Sequence, residues 1–469
     1  MVSIILVTLL VILATCTIKK PIYGIMCYYI IRMVIPSASR VYSFSFNTIS
    51  LGVLLLFLLP NIARAYKRSD IFVRKYIASV SFIIAGIFAL TFLGEIPLFF
   101  QWSSLIQMFM TEFLPSILLA LFLVKVEDYK KFCNVVCLMA LFTALYGIYT
   151  YVTVDNPIYT LFNNSGEEGH ILEDYVTGRL GMEGIAVGIY NDKIALSLIS
   201  LLLLTFLINK ANINKVLLLS SLALTFVDMF LTTQRTALFC LLLFFCTMAF
   251  DKKNKLIRKY LKVAVVLLFI AVIFADNKMI MDSFSSLVYI FDDSMQQRLG
   301  IGGSSTDMRM LQFASGFAYL GFDNILQGEG YNFPEYYYTY IFRRDIFGID
   351  YRFNGFESFM LQIIMSSGLI GVLIWGVGLK KIYQSLLSHL NGKYGISFFC
   401  SYILAIVMTD ASASFYLFFF LSVLNYKSNL FKGTEGVIKS DVKESVSHQK
   451  IYLRTRSSVK TMFSIRLIK

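Results

Sequence analysis

Four positions in this 469-residue chain set a charged side chain beside a long apolar run, where chemistry is possible. Arg235 sits in Leu231-Thr-Thr-Gln-Arg-Thr-Ala-Leu238, at a tight turn between two apolar stretches. Its guanidinium can grip a diphosphate through two parallel bonds, with flanking hydroxyls as further donors. The plainer use is snorkelling to lipid phosphate. Arg179 precedes Gly181 and Gly184, and the following apolar run contains Asn191-Asp192-Lys193. Adjacent residues on a helix do not face one another, so Asp192 and Lys193 are not a structural ion pair, and at least one is expected to face a polar cavity. Arg309 ends Ser304-Ser-Thr-Asp-Met-Arg309, upstream of Gly328-Glu-Gly330, whose glycines let backbone approach a ligand closely. An exposed loop arginine is otherwise simply solvated. Glu357 follows Phe353-Asn-Gly-Phe and opens a run that continues to Gly368-Leu-Ile-Gly371. There a helix dipole can hold the carboxylate as a stable anion, or the carboxylate can act as a general base toward a hydroxyl.

Several alternative chemistries lack their motifs. No phosphate-binding loop, HExxH, Gly-x-Ser-x-Gly or dinucleotide fingerprint occurs, and no acidic cluster is spaced to hold a divalent metal with a nucleotide sugar. His170, His389 and His448 are too scattered for a metal site. The expectation is therefore no cofactor and no metal, with any activated group arriving as a lipid-linked diphosphate.

The elements that must position these residues are membrane helices. Hydrophobic residues make up 57% of the chain and charged residues 15%, against roughly 25% charge in soluble domains. Hydrocarbon cannot satisfy backbone polar groups, so only helices or closed barrels span it. The apolar runs do not alternate, which excludes a barrel. Candidate spans lie near 2–18, 22–36, 48–63, 76–100, 104–124, 132–152, 183–208, 216–234, 236–250, 263–276, 356–379, 396–409 and 412–426. The first 36 residues form two spans or one bent span, giving 13 or 12 in all.

The net charge of +13 is distributed by topology. Basic clusters (Arg64 to Lys75, Lys125 to Lys131, Lys252 to Lys262, Lys380 and Lys381, and the tail) alternate with acidic loops, as the positive-inside rule requires. The basic excess marks cytoplasmic loops and calls for no nucleic acid. All seven cysteines lie in or beside apolar segments, so no disulfide framework is expected. The chain divides into an N-terminal bundle (1–276, with an outside loop at about 153–182), a large outside loop (277–355), C-terminal helices (356–426) and a basic cytoplasmic tail (427–469). Loops as long as 277–355 are usually functional. It carries the run Tyr331-Asn-Phe-Pro-Glu-Tyr-Tyr-Tyr-Thr-Tyr340, whose rings suit either sugar stacking or an interfacial belt.

An arginine after Thr-Thr-Gln at a hairpin turn, a large penultimate outside loop, Arg309 about twenty residues before Gly-x-Gly, then Glu357-Ser and Gly368-Leu-Ile-Gly together resemble the O-antigen polymerase and ligase superfamily. The commoner family pattern at the last site is His-Asn-x-x-Leu. Here Glu357 and Ser358 occupy the first two positions, with Leu361 and Gly368 in register, which is more similar to the polymerases of the flippase-dependent pathway than to the ligases. The resemblance implies an all-α, GT-C-like membrane glycosyltransferase of about 12 helices in the bacterial inner membrane, with its active site facing the periplasm. It would need neither metal nor nucleotide sugar. Undecaprenyl-diphosphate-linked glycan would be the substrate, and a chain-length regulator and a flippase the pathway partners. Glu357 would be the catalytic base, and Arg179, Arg235, Arg309, Ser358, Gly328 and Gly330 the substrate-binding residues. The rival readings are an O-antigen ligase and a lipid-linked oligosaccharide flippase or other transporter. Transporters tend to show internal repeats, broken helices at the midplane and short loops, whereas this chain has one dominant outside loop and places its charges near the outer surface.

Overall fold

A computed structural model describes residues 2–35, 39–41, 44–153, 156–162, 195–208, 213–231, 235–249, 305–341, 356, 358–388, 390, 394–408 and 415–431. The described residues are almost entirely helical, with one two-residue antiparallel pair, β1 (Arg40–Val41) and β2 (Phe44–Ser45). The helices are α1 (Val2–Lys19), α2 (Pro21–Val34), α3 (Phe46–Arg68), α4 (Ile71–Leu90), α5 (Leu98–Phe122), α6 (Val126–Thr153) and the short α7 (Pro157–Phe162). They continue with α8 (Ala195–Ile208), α9 (Lys215–Leu231), α10 (Arg235–Ala249), α11 (Ser305–Asn324), α12 (Phe333–Tyr336), α13 (Phe359–Ile382), α14 (Tyr394–Met408) and α15 (415–431). Among the described residues, six helices are long and apolar enough to cross a bilayer, namely α1, α3, α4, α5, α6 and α13 with its π-helical extension to Leu387. This is a membrane protein.

The N-terminal ambiguity resolves into two helices. Lys20 is extended between them, Pro21 starts α2 where its missing N–H costs nothing, and Gly24 packs on Thr17 of α1. Lys20 also reaches Asp128 at 2.5 Å, tying this junction to the basic end of α6. At the same end Asp70 caps α4 by accepting from Val73 N–H at 2.8 Å. Its carboxylate also accepts from Tyr426 at 2.9 Å and lies 3.7 Å from Lys427, which fastens α15.

Small residues bring the helices together, as membrane packing requires. Gly86 of α4 faces Ile374 of α13, and Gly378 faces Ile83. Ser221 of α9 donates to the Cys137 carbonyl of α6 at 2.8 Å. Ser401 of α14 donates to the Cys240 carbonyl of α10 at 2.9 Å, and the Cys240 thiol returns a contact at 3.3 Å. Aromatic rings fill the centre. Tyr29 stacks on Phe420 at 5.1 Å, and Phe113, Trp375, Phe415 and Phe359 form one continuous group.

Two expected spans differ from the structure. The run 76–100 is cut after Leu90 by a turn at 91–97 before α5 begins. The turn is held by buried Gln101, which donates to the carbonyls of Thr91 (3.2 Å) and Ile96 (2.8 Å), so one side chain replaces the helical bonds lost there. The run 356–379 is likewise not one straight helix. At Gly368 the backbone takes φ 60° and ψ −164°, and the ring of Phe359 lies 5.6 Å from that of Trp375. Sixteen residues of straight helix would separate them by about 24 Å. The first half of α13 therefore folds back along the second.

Candidate functional site

A helix broken inside a bilayer exposes carbonyls on one side of the break and N–H groups on the other, and hydrocarbon satisfies neither. Here the segment 325–331 supplies both. The Glu329 N–H donates to the Met365 carbonyl (2.8 Å) and the Gly330 N–H to that of Ser366 (3.1 Å). In the other direction, the N–H groups of Leu369 and Ile370 donate to the carbonyls of Ile325 (3.0 Å) and Leu326 (3.1 Å). The contact is backbone on backbone, so Cβ atoms are excluded. A methyl on Gly328 would sit 2.5 Å from the Ser367 nitrogen, and one on Gly368 would overlap the Leu326 carbonyl. Gly328 (φ 73°), Gly330 (φ 128°) and Gly368 (φ 60°) also hold conformations that side-chain-bearing residues resist. The Gly-x-Gly signal thus marks the plug in the broken helix. Its amides are taken, since Gly328 N–H donates to the Asn324 carbonyl (2.7 Å) and Gly330 N–H to that of Ser366. The carbonyl of Glu329 accepts from Glu95 N–H (2.7 Å), binding the plug to the turn before α5. Burial pushes the Glu329 carboxyl above its ordinary range, opposed by the bond from Asn324 Nδ2 (3.1 Å) and reinforced by the nearby Glu95 charge.

The other end of the folded-back half carries the candidate reactive corner. Ser358 is fully buried and caps α13, accepting from Leu361 N–H. Its hydroxyl donates to the Val407 carbonyl near the end of α14 at 2.9 Å. Val407 is about 20 Å along α14 from Tyr394. Phe356 is buried between Phe333 (6.3 Å) and Tyr337 (5.9 Å), and its carbonyl accepts from Gln362 at 2.8 Å. Glu357 falls outside the described residues, but both of its neighbours are clamped. Beneath them, Phe359 packs edge-on against Phe415 (4.7 Å), which stacks on Trp375 (5.1 Å).

The three arginines are placed unequally. Arg179 lies outside the described residues. Arg235 is the first residue of α10, directly after the turn expected from sequence, and is placed by its backbone. Arg309 lies in the second turn of α11, also placed by its backbone. Gly316 of α11 packs on Leu361 and Met365, while Ile325 and Leu326 bond to Leu369 and Ile370. Between these two contacts α11 breaks at Gly321, which takes the same backbone geometry as Gly368 (φ 59°, ψ −163°). Arg309 is two turns before Gly316, in the part of α11 that packs on the first half of α13.

Three charged residues within apolar helices escaped the sequence reading. Arg32 of α2 pairs with Glu112 of α5 at 3.2 Å, and Glu112 also accepts from Tyr416 N–H at 2.7 Å, capping α15 from the side. The arginine lies over the Tyr416 ring at 4.9 Å. Glu112 occupies a π-helical turn, Phe109–Phe113, a local widening often found near functional sites. Asp228 of α9 is fully buried and packs directly on Gly147 of α6, and among the described residues neither carboxylate oxygen has a hydrogen-bond partner. The signal for all three was a charge inside an apolar run, where each is costly. Among the described residues, no three His, Cys, Asp or Glu side chains converge to hold a metal ion.

The fold and this corner define a polytopic helical membrane protein with a buried, glycine-broken helix as its centre. Residues 218–376 match the family model described as O-antigen ligase (Wzy_C), which is consistent with the O-antigen polymerase and ligase superfamily. The match runs from within α9 through the Arg235 turn, α11, the plug and the broken helix. No curated protein matches the chain.

Proposed function

We propose that the chain is an O-antigen polymerase of the inner membrane, with about 12 spans in a GT-C-like arrangement and its reactive corner facing the periplasm. It joins undecaprenyl-diphosphate-linked repeat units by transferring the growing glycan to the non-reducing end of a new lipid-linked unit. The observation that supports this most is the packing of α11, the helix that carries Arg309, on the first half of α13, which begins at the buried Ser358 cap directly after Glu357.

In this reading Glu357 takes the proton of the acceptor hydroxyl. The resulting oxygen attacks the anomeric carbon of the donor sugar, and the bond from that carbon to the diphosphate oxygen breaks. The electron pair leaves with undecaprenyl diphosphate, and a single displacement inverts the anomeric centre. Arg179, Arg235 and Arg309 stabilise the negative charge that grows on the leaving diphosphate. Ser358 fixes the corner through Val407, while Gly328 and Gly330 serve by holding the broken helix in shape. No step requires a metal or a nucleotide sugar. A chain-length regulator and a flippase of the same pathway are the expected partners.

The test is a gel of lipopolysaccharide from a deletion strain. The expected result is core bearing a single repeat unit, with the ladder restored by the wild-type chain but not by Glu357→Ala. The description of the matching family favours a second reading, O-antigen ligase. Core without any repeat, together with lipid-linked polymer accumulating in the periplasm, would replace polymerase with ligase. Near-normal polymer length with Glu357→Gln would remove the base assignment.

A further inference from the structure

The aromatic run of the outside loop divides into two faces. Phe333 and Tyr337 are buried and pack against Phe356, the residue just before Glu357. Tyr336 and Tyr340, one turn apart, lie on the neighbouring face, with Tyr336 packed against the outside of that cluster. Their rings lie 4.9 Å apart, and Phe100 at the start of α5 meets both edge-on, at 5.4 and 6.2 Å. Tyr340 is 47% exposed, and Tyr336 and Phe100 are half-buried. Three rings thus form an open ridge backed by the apolar cluster that seats Phe356.

The polar groups beside the ridge are a carboxylate and an amide. Glu335 is exposed and accepts from Asn332 Nδ2, and the same amide nitrogen donates to Ser104 at 3.1 Å. Asn332 holds a left-handed conformation (φ 63°), which starts α12 and sets the register of both tyrosines. Two glutamates, Glu329 and Glu335, fall within 325–341, and Arg343-Arg344 follow it. A pyranose ring asks for the combination found here. It presents an apolar C–H face to an aromatic ring, and its rim hydroxyls donate to a carboxylate and accept from an amide.

We propose that Phe100, Tyr336 and Tyr340, with Glu335 and Asn332, form a glycan-binding subsite that holds sugars of the substrate next to the Glu357 corner. The subsite rests on the glycan-transfer reading above and extends it by naming where the saccharide lies. A run of pyranoses stacked on the ridge would be held by ring faces and by hydroxyl contacts to Glu335. The rings backing it are the ones that fix Phe356, so binding there is rigidly connected to the reactive corner.

The experiment uses the full chain in lipid nanodiscs and, as probe, the repeat-unit oligosaccharide released from its lipid by mild acid. Binding is measured by saturation-transfer NMR titration, independently of turnover. Tyr336→Ala and Tyr340→Ala are each expected to weaken oligosaccharide binding about fivefold, the worth of one aromatic contact. Tyr340→Phe, which keeps the ring, should stay within about twofold. A Tyr340→Trp variant adds a second readout, in which its fluorescence should respond to the oligosaccharide and not to brominated phospholipid. Unchanged binding in both alanine variants, or quenching by brominated lipid alone, would overturn the subsite and make the ridge an interfacial belt. Parallel transfer assays with Glu357→Gln keep the two readings apart. Ring-dependent binding without glycan transfer by the wild type would sink the enzyme assignment alone, whereas transfer that persists without ring-dependent binding would sink the subsite alone.

Discussion

Replacing Gly368 by alanine tests the broken helix directly. At φ 60° and ψ −164° a residue with a Cβ is outside its allowed wells, a strain of about 1–3 kcal/mol. The added methyl would also overlap the Leu326 backbone and push the plug outward. That displacement strains the bonds from Leu369 to Ile325 and from Ile370 to Leu326, each worth about 1 kcal/mol. The expected loss of stability is about 3–5 kcal/mol. The same helix provides its own control. Gly376 has ordinary helical geometry, and a methyl added there would meet nothing within 4 Å, so Gly376→Ala should gain about 0.5–1 kcal/mol from reduced backbone freedom. Unfolding in detergent can be followed as buried Cys133, Cys137 and Cys240 become accessible to a thiol-reactive fluorophore. Gly368→Ala should unfold well below wild type and Gly376→Ala at or above it. If the two variants were equally stable and active, the backbone plug would not be what holds the helix open.

Arg32→Ala should destabilise by about 3–5 kcal/mol, because it leaves Glu112 charged and buried without its ion-pair partner. The pair Arg32→Met with Glu112→Gln should recover most of that loss in the same thiol assay, since glutamine still offers an oxygen to Tyr416 N–H. An Arg32→Ala variant as stable as wild type would show the ion pair to be dispensable. Glu329 gives a pH-dependent case. Its folded pKa is raised by burial, so the stability tied to its protonated form is fully present below the unfolded value of about 4.3 and is lost as pH rises through the folded value. Glu329→Gln should therefore unfold at a higher temperature than wild type at pH 8 and show no advantage at pH 4. An advantage at pH 4 that disappears at pH 8 would reverse the sign and refute the burial argument.

The class of this protein was legible in the sequence because membrane insertion imposes local rules. Apolar length, the absence of alternation and the placement of lysine and arginine depend on each segment and its flanks alone, and they located most helices within a few residues. The order of Arg235, Arg309, Gly328-Glu-Gly330 and Glu357-Ser pointed to the same superfamily that residues 218–376 match. The structure decided what those glycines do. Glycines suit a ligand cradle and a backbone plug equally well, and only the approach of Leu326 to Gly368, across 42 positions of chain, distinguishes them. The breaks at Leu90 and Gly368 were equally hidden, because hydropathy does not change where the chain reverses. Gln101 and the 325–331 segment make those reversals possible by satisfying backbone groups from a distance. Arg32 and Glu112 were visible as charges in apolar runs, but their meaning waited on each other, since a buried charge is explained by its partner and the partner is chosen by the fold. Sequence sets what a segment can bury, and the tertiary structure alone sets which distant backbone and charge complete it.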